Sequence, residues 1–101
     1  VEEIQKNAFR NCRNLHELYL GNSLSRIGDS SFYYCGLKSV MIPPSVSYLG
    51  VTAFANNLLE KVIINNKMVG KGAFSVNPDL KQVTFGNSLR FINERHFLVL
   101  V

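Results

Sequence analysis

The chain has few of the features that mark the commonest functional classes of protein. Its 101 residues include two cysteines, too few for a disulfide scaffold, and these do not form a zinc-type Cys-x-x-Cys pair. No apolar run approaches the roughly 18 residues that span a bilayer, so we expect no membrane insertion. The chain opens on the polar stretch VEEIQKN, without an initiator Met or a signal peptide, and has no Asn-x-Ser/Thr sequon. We interpret this opening as that of a mature or trimmed chain.

Acidic residues are in the minority, but the basic excess is not concentrated anywhere. The chain has 11 basic and 7 acidic residues, a formal net charge of +4, and its longest like-charge runs are pairs such as Glu2-Glu3. A nucleic-acid-binding surface needs a basic stripe with interleaved aromatic residues. The sequence shows no such stripe, so we expect no nucleic-acid partner. Apolar residues make up 47% of the chain, enough for the core of one domain.

Phenylalanine recurs at a nearly constant interval along the chain. Spacings of 23, 22, 20 and 23 residues separate Phe9, Phe32, Phe54, Phe74 and Phe97. A small residue precedes four of these, an aliphatic residue stands five positions earlier, and Cys or Asn follows three positions after the first four. Such self-similarity is the signature of a repeat architecture. The repeats are bounded at about 1–23, 24–45, 46–65 and 66–88, with a partial fifth at 89–101.

Each repeat also contains a segment with the pattern L-x-x-V/L-x-I/L/F, which is typical of a short strand. The segments are LHELYLG (15–21), LKSVMIP (37–43), LEKVIIN (59–65) and LKQVTFG (80–86). Apolar positions alternate with variable ones, as in a half-buried strand. The pairs expected to point into the core are Leu18/Leu20, Val40/Ile42, Val62/Ile64 and Val83/Phe85. The stretch from Ile64 to Val69 is two residues shorter than its counterparts, so we expect a tighter corner at NNKM.

A repeat of about 22 residues cannot bury its apolar face alone, but stacked repeats can. Stacking predicts a single α/β-type solenoid with parallel strands about 4.8 Å apart. The phenylalanines would form a second internal column. Segments such as GDSSFYYC are too short for regular helices, so we expect one turn of helix or 3-10 helix in each.

This pattern resembles leucine-rich repeats, whose signature is L-x-x-L-x-L-x-x-N/C-x-L. The stretch IGDSSFYYCGLKSVMIPPSVSYLGVTAF is similar to the BspA-like subclass, with its I-G-x-x-A-F-x-x-C-x-x-L-x-x-I-x-I-P-x-S-V pattern. The resemblance covers essentially the whole chain and implies a right-handed superhelix with the parallel sheet on its concave face. It also implies a cell-surface or secreted protein of bacteria or protists, often an adhesin for host proteins such as fibronectin and fibrinogen. The family brings no catalytic residues. Asn57 and Asn77 depart from it, since they stand where the family prefers Cys.

The residues that could carry chemistry have structural readings as well. Cys12 and Cys35 occupy the same position in adjacent repeats, so they are either two buried free thiols or, at about one strand spacing, a disulfide pair. VGKGAF (69–74) lacks the frame of a phosphate loop and aligns with the turn of the other repeats. His16 and His96 fall in distant repeats, and the acidic residues are spread over different repeats. We therefore expect no enzyme, no catalytic residue, no metal and no cofactor.

The outward positions of the strands are the candidate site. We predict partner binding by an apolar row, with two charged residues at its rim. The row is Tyr19, Met41, Ile63 and Thr84, and the rim residues are Glu17 and Lys61. Tyr and Met are enriched at the cores of interfaces, although apolar side chains stacked along a sheet can also simply cover one another. The neighbouring row Lys38, Glu60 and Lys81 is expected to be a cross-strand charge ladder.

Two functions remain open at this point. The first is a protein-interaction module that binds a host extracellular-matrix or plasma protein through the sheet. The second is a structural spacer that presents another domain and binds nothing. Four strands with three exposed residues each offer about 200 Å², against about 800 Å² per partner in a standard interface. The apolar end FLVLV is also expected to be an open edge that allows self-association.

Overall fold

The computed structural model describes residues 2–66 and 68–86, which form about four turns of a solenoid of parallel strands. Within these ranges, six strands lie in two sheets. They are β1 (Glu3–Ile4), β2 (Arg26–Ile27), β3 (Ser39–Ile42), β4 (Tyr48–Leu49), β5 (Lys61–Ile64) and β6 (Gln82–Phe85). These described ranges contain no helix, and thus none that could cross a membrane. The repeat solenoid is confirmed, whereas its handedness and the concave position of a sheet stay predictions.

The larger sheet has the order β3–β5–β6. Val40 pairs with Val62, and Val62 pairs with Val83, so equivalent positions of successive repeats lie side by side. The alternation read from the sequence is observed, because Val40 and Ile42 of β3 are buried while Ser39 and Met41 are exposed. The smaller sheet, β1–β2–β4, stacks Ile4, Ile27 and Leu49 in the same manner.

The predicted helical turns are wrong, because the segments that contain the phenylalanines are chains of tight turns. These turn segments span residues 5–12, 28–35, 50–57 and 70–77. Each has two residues at φ between 52° and 65°, two positions before and two positions after its Phe. A left-handed residue interrupts the right-handed backbone that a helix needs. The first turn of each segment, such as Gly28–Ser31, carries its positive φ at the third position, as a type II turn requires.

The turn segments of neighbouring repeats are joined by backbone hydrogen bonds at every second residue. The N–H groups of Ser30, Phe32 and Tyr34 donate to the carbonyl groups of Val51, Ala53 and Ala55 at 3.0, 2.9 and 3.0 Å. The same pattern joins the first segment to the second and the third to the fourth. These segments therefore form a third hydrogen-bonded side of the solenoid without being strands.

Close approach of the backbones explains the glycine four positions before Phe54 and Phe74. A Cβ atom on Gly50 would lie 2.5 Å from the Asp29 nitrogen, and one on Gly70 would lie 2.5 Å from the Leu49 carbonyl oxygen. Real Cβ atoms do not approach backbone so closely. Gly70 of VGKGAF is thus a packing residue, in agreement with the sequence alignment of the repeats.

The predicted phenylalanine column is the centre of the core. Phe32, Phe54 and Phe74 are fully buried, and adjacent rings stack with centroids 5.1 and 5.7 Å apart. Phe9 stacks on Phe32 at 5.2 Å but is 44% exposed, so its full burial was predicted wrongly. Phe97 lies outside the described residues.

The strands expected at the two ends of the described solenoid differ from the prediction. Residues 15–21 form no strand, although Leu20 is buried and Leu18 is half-buried. Phe85, expected inside, is 47% exposed, and Val83 is half-buried. In the described ranges β6 has a neighbour on one side only, which leaves its inward side chains less covered. The open edge predicted at FLVLV lies outside the described residues.

The short connection after β5 is closed by a buried asparagine. The Asn66 side chain is fully buried, and its Nδ2 donates to the Met68 carbonyl oxygen at 2.5 Å. The amide bridges the two sides of the NNKM corner, where two residues fewer are available than in the other repeats.

Candidate functional site

The exposed side of the β3–β5–β6 sheet, called the sheet face below, carries the predicted apolar row in register. Met41 pairs with Ile63, and Ile63 pairs with Thr84. Met41 is 54% exposed, Ile63 is half-buried and Thr84 is exposed. Since strand pairing places these side chains about 5 Å apart, they make a continuous stripe across three repeats. Whether the stripe binds a partner stays a prediction.

Tyr19 lies beside this row but does not belong to the hydrogen-bonded sheet. Its side chain is 88% exposed, the most exposed of the large apolar side chains in the described ranges. The segment that carries it does not pair with β3, and Leu18, Met41 and Ile63 line a cavity of about 230 Å³. A second cavity, about 500 Å³, separates Tyr19 from Ser39. The row is therefore three paired residues with a protruding tyrosine at one end.

The predicted rim residues are in place, but the predicted charge ladder does not form. Glu17 and Lys61 are both exposed, and Lys61 pairs with Ser39 and Gln82 in the row next to Met41 and Ile63. The backbones of Lys38, Glu60 and Lys81 are joined by hydrogen bonds of 2.8 and 3.0 Å, as their row requires. Their side chains make no ion pair within the described ranges. Exposed pairs of this kind gain little from closing, so these charges face solvent separately.

The position three residues after the Phe carries a buried side chain with hydrogen bonds in the second, third and fourth repeats. Asn57 Oδ1 accepts the Leu37 N–H at 3.1 Å, and its Nδ2 donates to the Phe32 and Phe54 carbonyl oxygens at 2.9 and 3.0 Å. Asn77 repeats the arrangement one turn on, with its Oδ1 accepting from the Asn57 and Leu59 N–H groups. The two amides form a buried ladder that ties the third turn segment to the second and the fourth to the third.

The two cysteines fill that same position in the first two repeats, and both are free thiols. Cys12 is exposed, which corrects the expectation that both would be buried. Cys35 is buried and its Sγ donates to the Phe9 carbonyl oxygen at 3.2 Å. Burial raises the pKa of the Cys35 thiol, which keeps it protonated and unreactive.

Three arginine–tyrosine stacks were missed by the sequence reading. The guanidinium carbons of Arg10, Arg13 and Arg26 lie 4.8, 4.2 and 4.1 Å from the ring centroids of Tyr33, Tyr34 and Tyr48. Each contact joins one repeat to the next, so the partners are 21 to 23 residues apart in the chain. Comparing equivalent positions of adjacent repeats would have found them, whereas a search for local basic clusters does not.

The protonation of the Asp29 carboxylate depends on hydrogen bonds that form only in the folded chain. Asp29 Oδ1 accepts hydrogen bonds from the Tyr48 hydroxyl at 2.7 Å and the Val51 N–H at 2.9 Å. The bond from Tyr48 and, to a smaller extent, the bond from Val51 hold the pKa of Asp29 below its ordinary 3.8. The same bond raises the pKa of the Tyr48 hydroxyl. Arg26 stacks on this tyrosine and pairs with Glu3 at 3.6 Å, so the group braces three repeats.

The described residues bring together no cluster of three or more His, Cys, Asp or Glu side chains suited to a metal ion. His16 Nδ1 donates to the Gly36 carbonyl oxygen at 3.3 Å. His96, the other histidine considered in the sequence, lies outside the described residues.

Comparison with known families and proteins adds one finding. The family model described as BspA type leucine-rich repeat region (6 copies) matches residues 1–99, nearly the whole chain. No curated protein and no solved structure matches the chain significantly. The family match agrees with the resemblance read from the repeats, and it bears on the fold and on the general class of function.

Proposed function

The chain belongs to the BspA-type leucine-rich repeat family, and on that premise we propose that it binds a host extracellular-matrix or plasma protein as an adhesin does. Family membership indicates a protein-interaction repeat module. The finer proposal adds the partner class, a location at the cell surface or in secreted form, and a role in binding and not in catalysis.

The observation that carries the proposal is the apolar stripe on the sheet face. Met41 and Ile63 lie in register, and Tyr19 projects beside them at 88% exposure. Nothing in the backbone requires apolar residues there, because these side chains point away from the core. Tyrosine and methionine are favoured at the cores of protein interfaces. A tyrosine side chain also loses little conformational entropy when an interface fixes it.

The charged rim supports a protein partner of mixed surface character. Lys61 and Glu17 are exposed beside the stripe and bring one charge of each sign. An interface with an apolar centre and a polar rim is the usual arrangement for association between proteins. The cavities beside Leu18 add concave relief into which a partner's side chain fits.

The test is binding of the chain, displayed at high density on beads, to immobilised fibronectin or fibrinogen. High density compensates for the small stripe, since multivalent contact raises avidity without any new contact. The double variant Tyr19→Ser/Ile63→Ser should lose about tenfold or more in retention, because each apolar contact contributes about 1 kcal/mol or more at an interface centre. Thr52→Ser on the turn segments is the control and should bind as the parent does. Equal retention of the double variant and the parent chain would overturn the proposal.

A structural spacer is the second candidate, and the small size of the stripe favours it. About 200 Å² is far below the roughly 800 Å² that each partner buries in a standard interface. A spacer would hold its shape through the backbone ladders and the stacked phenylalanines, and it would bind neither matrix protein at any density. Retention that is absent for the parent chain and both variants would favour this alternative.

A further inference from the structure

We propose that a groove on the turn side of the solenoid binds an extended peptide of a partner protein that carries an acidic residue next to apolar ones. We call it the turn groove. It crosses all four described repeats and is lined by Arg13, His16, Tyr34, Leu58, Val76 and Pro78. It is separate from the stripe on the sheet face.

The groove walls are apolar and open to solvent. Tyr34, Leu58 and Val76 are 40%, 46% and 55% exposed. Tyr34 and Val76 lie within turn segments and Leu58 directly follows one, at positions where the fold asks for backbone geometry and not for apolar side chains. Val76 in particular sits at φ 55°, a conformation that β-branched residues rarely adopt. An exposed valine in a strained position indicates that its side chain has a use on the surface.

One end of the groove carries fixed positive charge. Arg13 lies over the Tyr34 ring at 4.2 Å, and stacking leaves the edge of a guanidinium free to donate to a carboxylate. Among the described residues no carboxylate forms an ion pair with Arg13, and no acidic residue lines the groove. His16 lies at the same end, where its Nδ1 is held by the Gly36 carbonyl oxygen. Charge complementarity therefore calls for an anionic group at this end.

The volume limits the size of what binds. The cavity is about 230 Å³, below the roughly 300 to 1,000 Å³ of sites for small molecules. A space of this size accepts one or two side chains of a chain that continues outside it. An extended peptide meets these conditions, with a carboxylate at Arg13 and a leucine-sized side chain against Leu58 and Val76.

The experiment titrates the ¹⁵N-labelled chain with three synthetic peptides and follows its amide shifts. The acidic–apolar peptide is acetyl-DDLLV-amide, and the controls are acetyl-KKLLV-amide and acetyl-DDSSG-amide. The first peptide should shift the amide signals of Gly36, Leu58 and Val76. The controls should bind about tenfold more weakly or not at all, since the loss of one charged hydrogen bond is sufficient for a tenfold change in affinity. Absence of shifts with all three peptides would overturn the proposal.

Matched variants separate the groove from general charge attraction. Arg13→Gln removes the charge at the groove, whereas Arg10→Gln removes the same charge from the neighbouring stack on Tyr33, which does not line it. Arg13→Gln should weaken the acidic–apolar peptide about tenfold and Arg10→Gln less than twofold. Leu58→Ser should weaken it as well, while Val51→Ser, at a similarly exposed position (41% against 46%) that does not line the groove, should not. Equal losses for the two arginine variants would mean attraction to a basic surface and would contradict the proposal.

Discussion

Two sides of this solenoid, the sheet face and the turn segments, obey different constraints. On the sheet face the backbone is ordinary strand, so the fold leaves the outward residues free to vary. On the turn segments the backbone needs glycine at close contacts and left-handed residues around each Phe, and a buried amide or thiol follows Phe32, Phe54 and Phe74. An exposed apolar residue on the turn side, such as Val76, has to meet these backbone constraints as well, whereas an apolar residue on the sheet face meets none of them. This contrast directs the functional proposal to Met41 and Ile63.

The largest expected difference concerns glycine. Gly50→Ala places a Cβ atom 2.5 Å from the backbone nitrogen of Asp29 in the preceding repeat. The two backbones can relieve this contact only by moving the two repeats apart. We expect the free energy of unfolding to fall by about 3 kcal/mol or more. Gly21→Ala, at the end of the segment that bears Tyr19, is the control, because no atom lies within 4 Å of its added Cβ. Chemical denaturation measures both, and similar losses would show that close packing is not specific to the turn side.

The next largest effect is the difference in stability loss between Asn57 and Cys35, which occupy the same position in successive repeats. Asn57→Ala leaves a buried N–H and at least two carbonyl groups without their side-chain partner, at about 3 kcal/mol in total. Cys35→Ala removes one weak sulfur hydrogen bond and a little buried surface, so we expect about 1 kcal/mol. The same denaturation experiment compares them. A Cys35→Ala loss as large as that of Asn57→Ala would contradict the role given to the amide ladder.

A stabilising change should be available on the turn side. Val76 has φ 55°, and glycine adopts this conformation without steric cost, so Val76→Gly should raise stability by about 1 kcal/mol. Val51→Gly is the matched control, since Val51 is also exposed, precedes Thr52 and is not among the residues with positive φ. There the extra freedom of glycine in the unfolded chain should lower stability by about 0.5 kcal/mol or more. Thermal unfolding that moves in the same direction for both variants would argue against strain at Val76.

The smallest expected effect is a pH dependence of stability that arises from the hydrogen bonds to Asp29. The hydrogen bonds to Asp29 lower its folded pKa below 3.8, so the unfolded chain takes up the proton first as the pH falls. The contribution of Asp29 to stability is thus present above pH 3.8 and is lost below it, as the pH passes through the folded pKa. Asp29→Asn should therefore flatten the acid limb of the stability curve relative to that of the parent chain. Identical acid limbs for Asp29→Asn and the parent chain would exclude this role.

The sequence predicted those parts of the fold that depend on repetition and alternation. The period-2 pattern placed Val40 and Met41 on opposite sides of β3, and the spacing of the phenylalanines placed three rings in one stack. It did not predict the tandem turns, because Tyr34 and Val76 are poor turn formers whose left-handed backbone is imposed by the neighbouring repeats. The strand expected at Tyr19 also failed, since pairing there depends on tertiary contact and not on local pattern.

The candidate site was predictable to a similar degree. The outward row followed from register alone, which strand pairing fixes once the inward residues are known. The turn groove was not predicted, although its residues recur at the same positions of the repeat. Tyr34 and Val76 stand two residues after a Phe, and Arg13, Leu58 and Pro78 stand four residues after one. Arg13 and Tyr34 are 21 residues apart, and their contact depends on how the turn segments are offset.

The most direct test of the claim for the sheet face uses the two methionines of the chain as opposed probes. Met41 lies on the stripe and Met68 on the side of the smaller sheet, and they are almost equally exposed, at 54% and 50%. With ¹³C-methyl-labelled methionine, cross-saturation from bound fibronectin or fibrinogen should reduce the Met41 methyl signal strongly and leave that of Met68 nearly unchanged. A reduction confined to Met68, or equal for both methyl groups, would contradict binding through the sheet face.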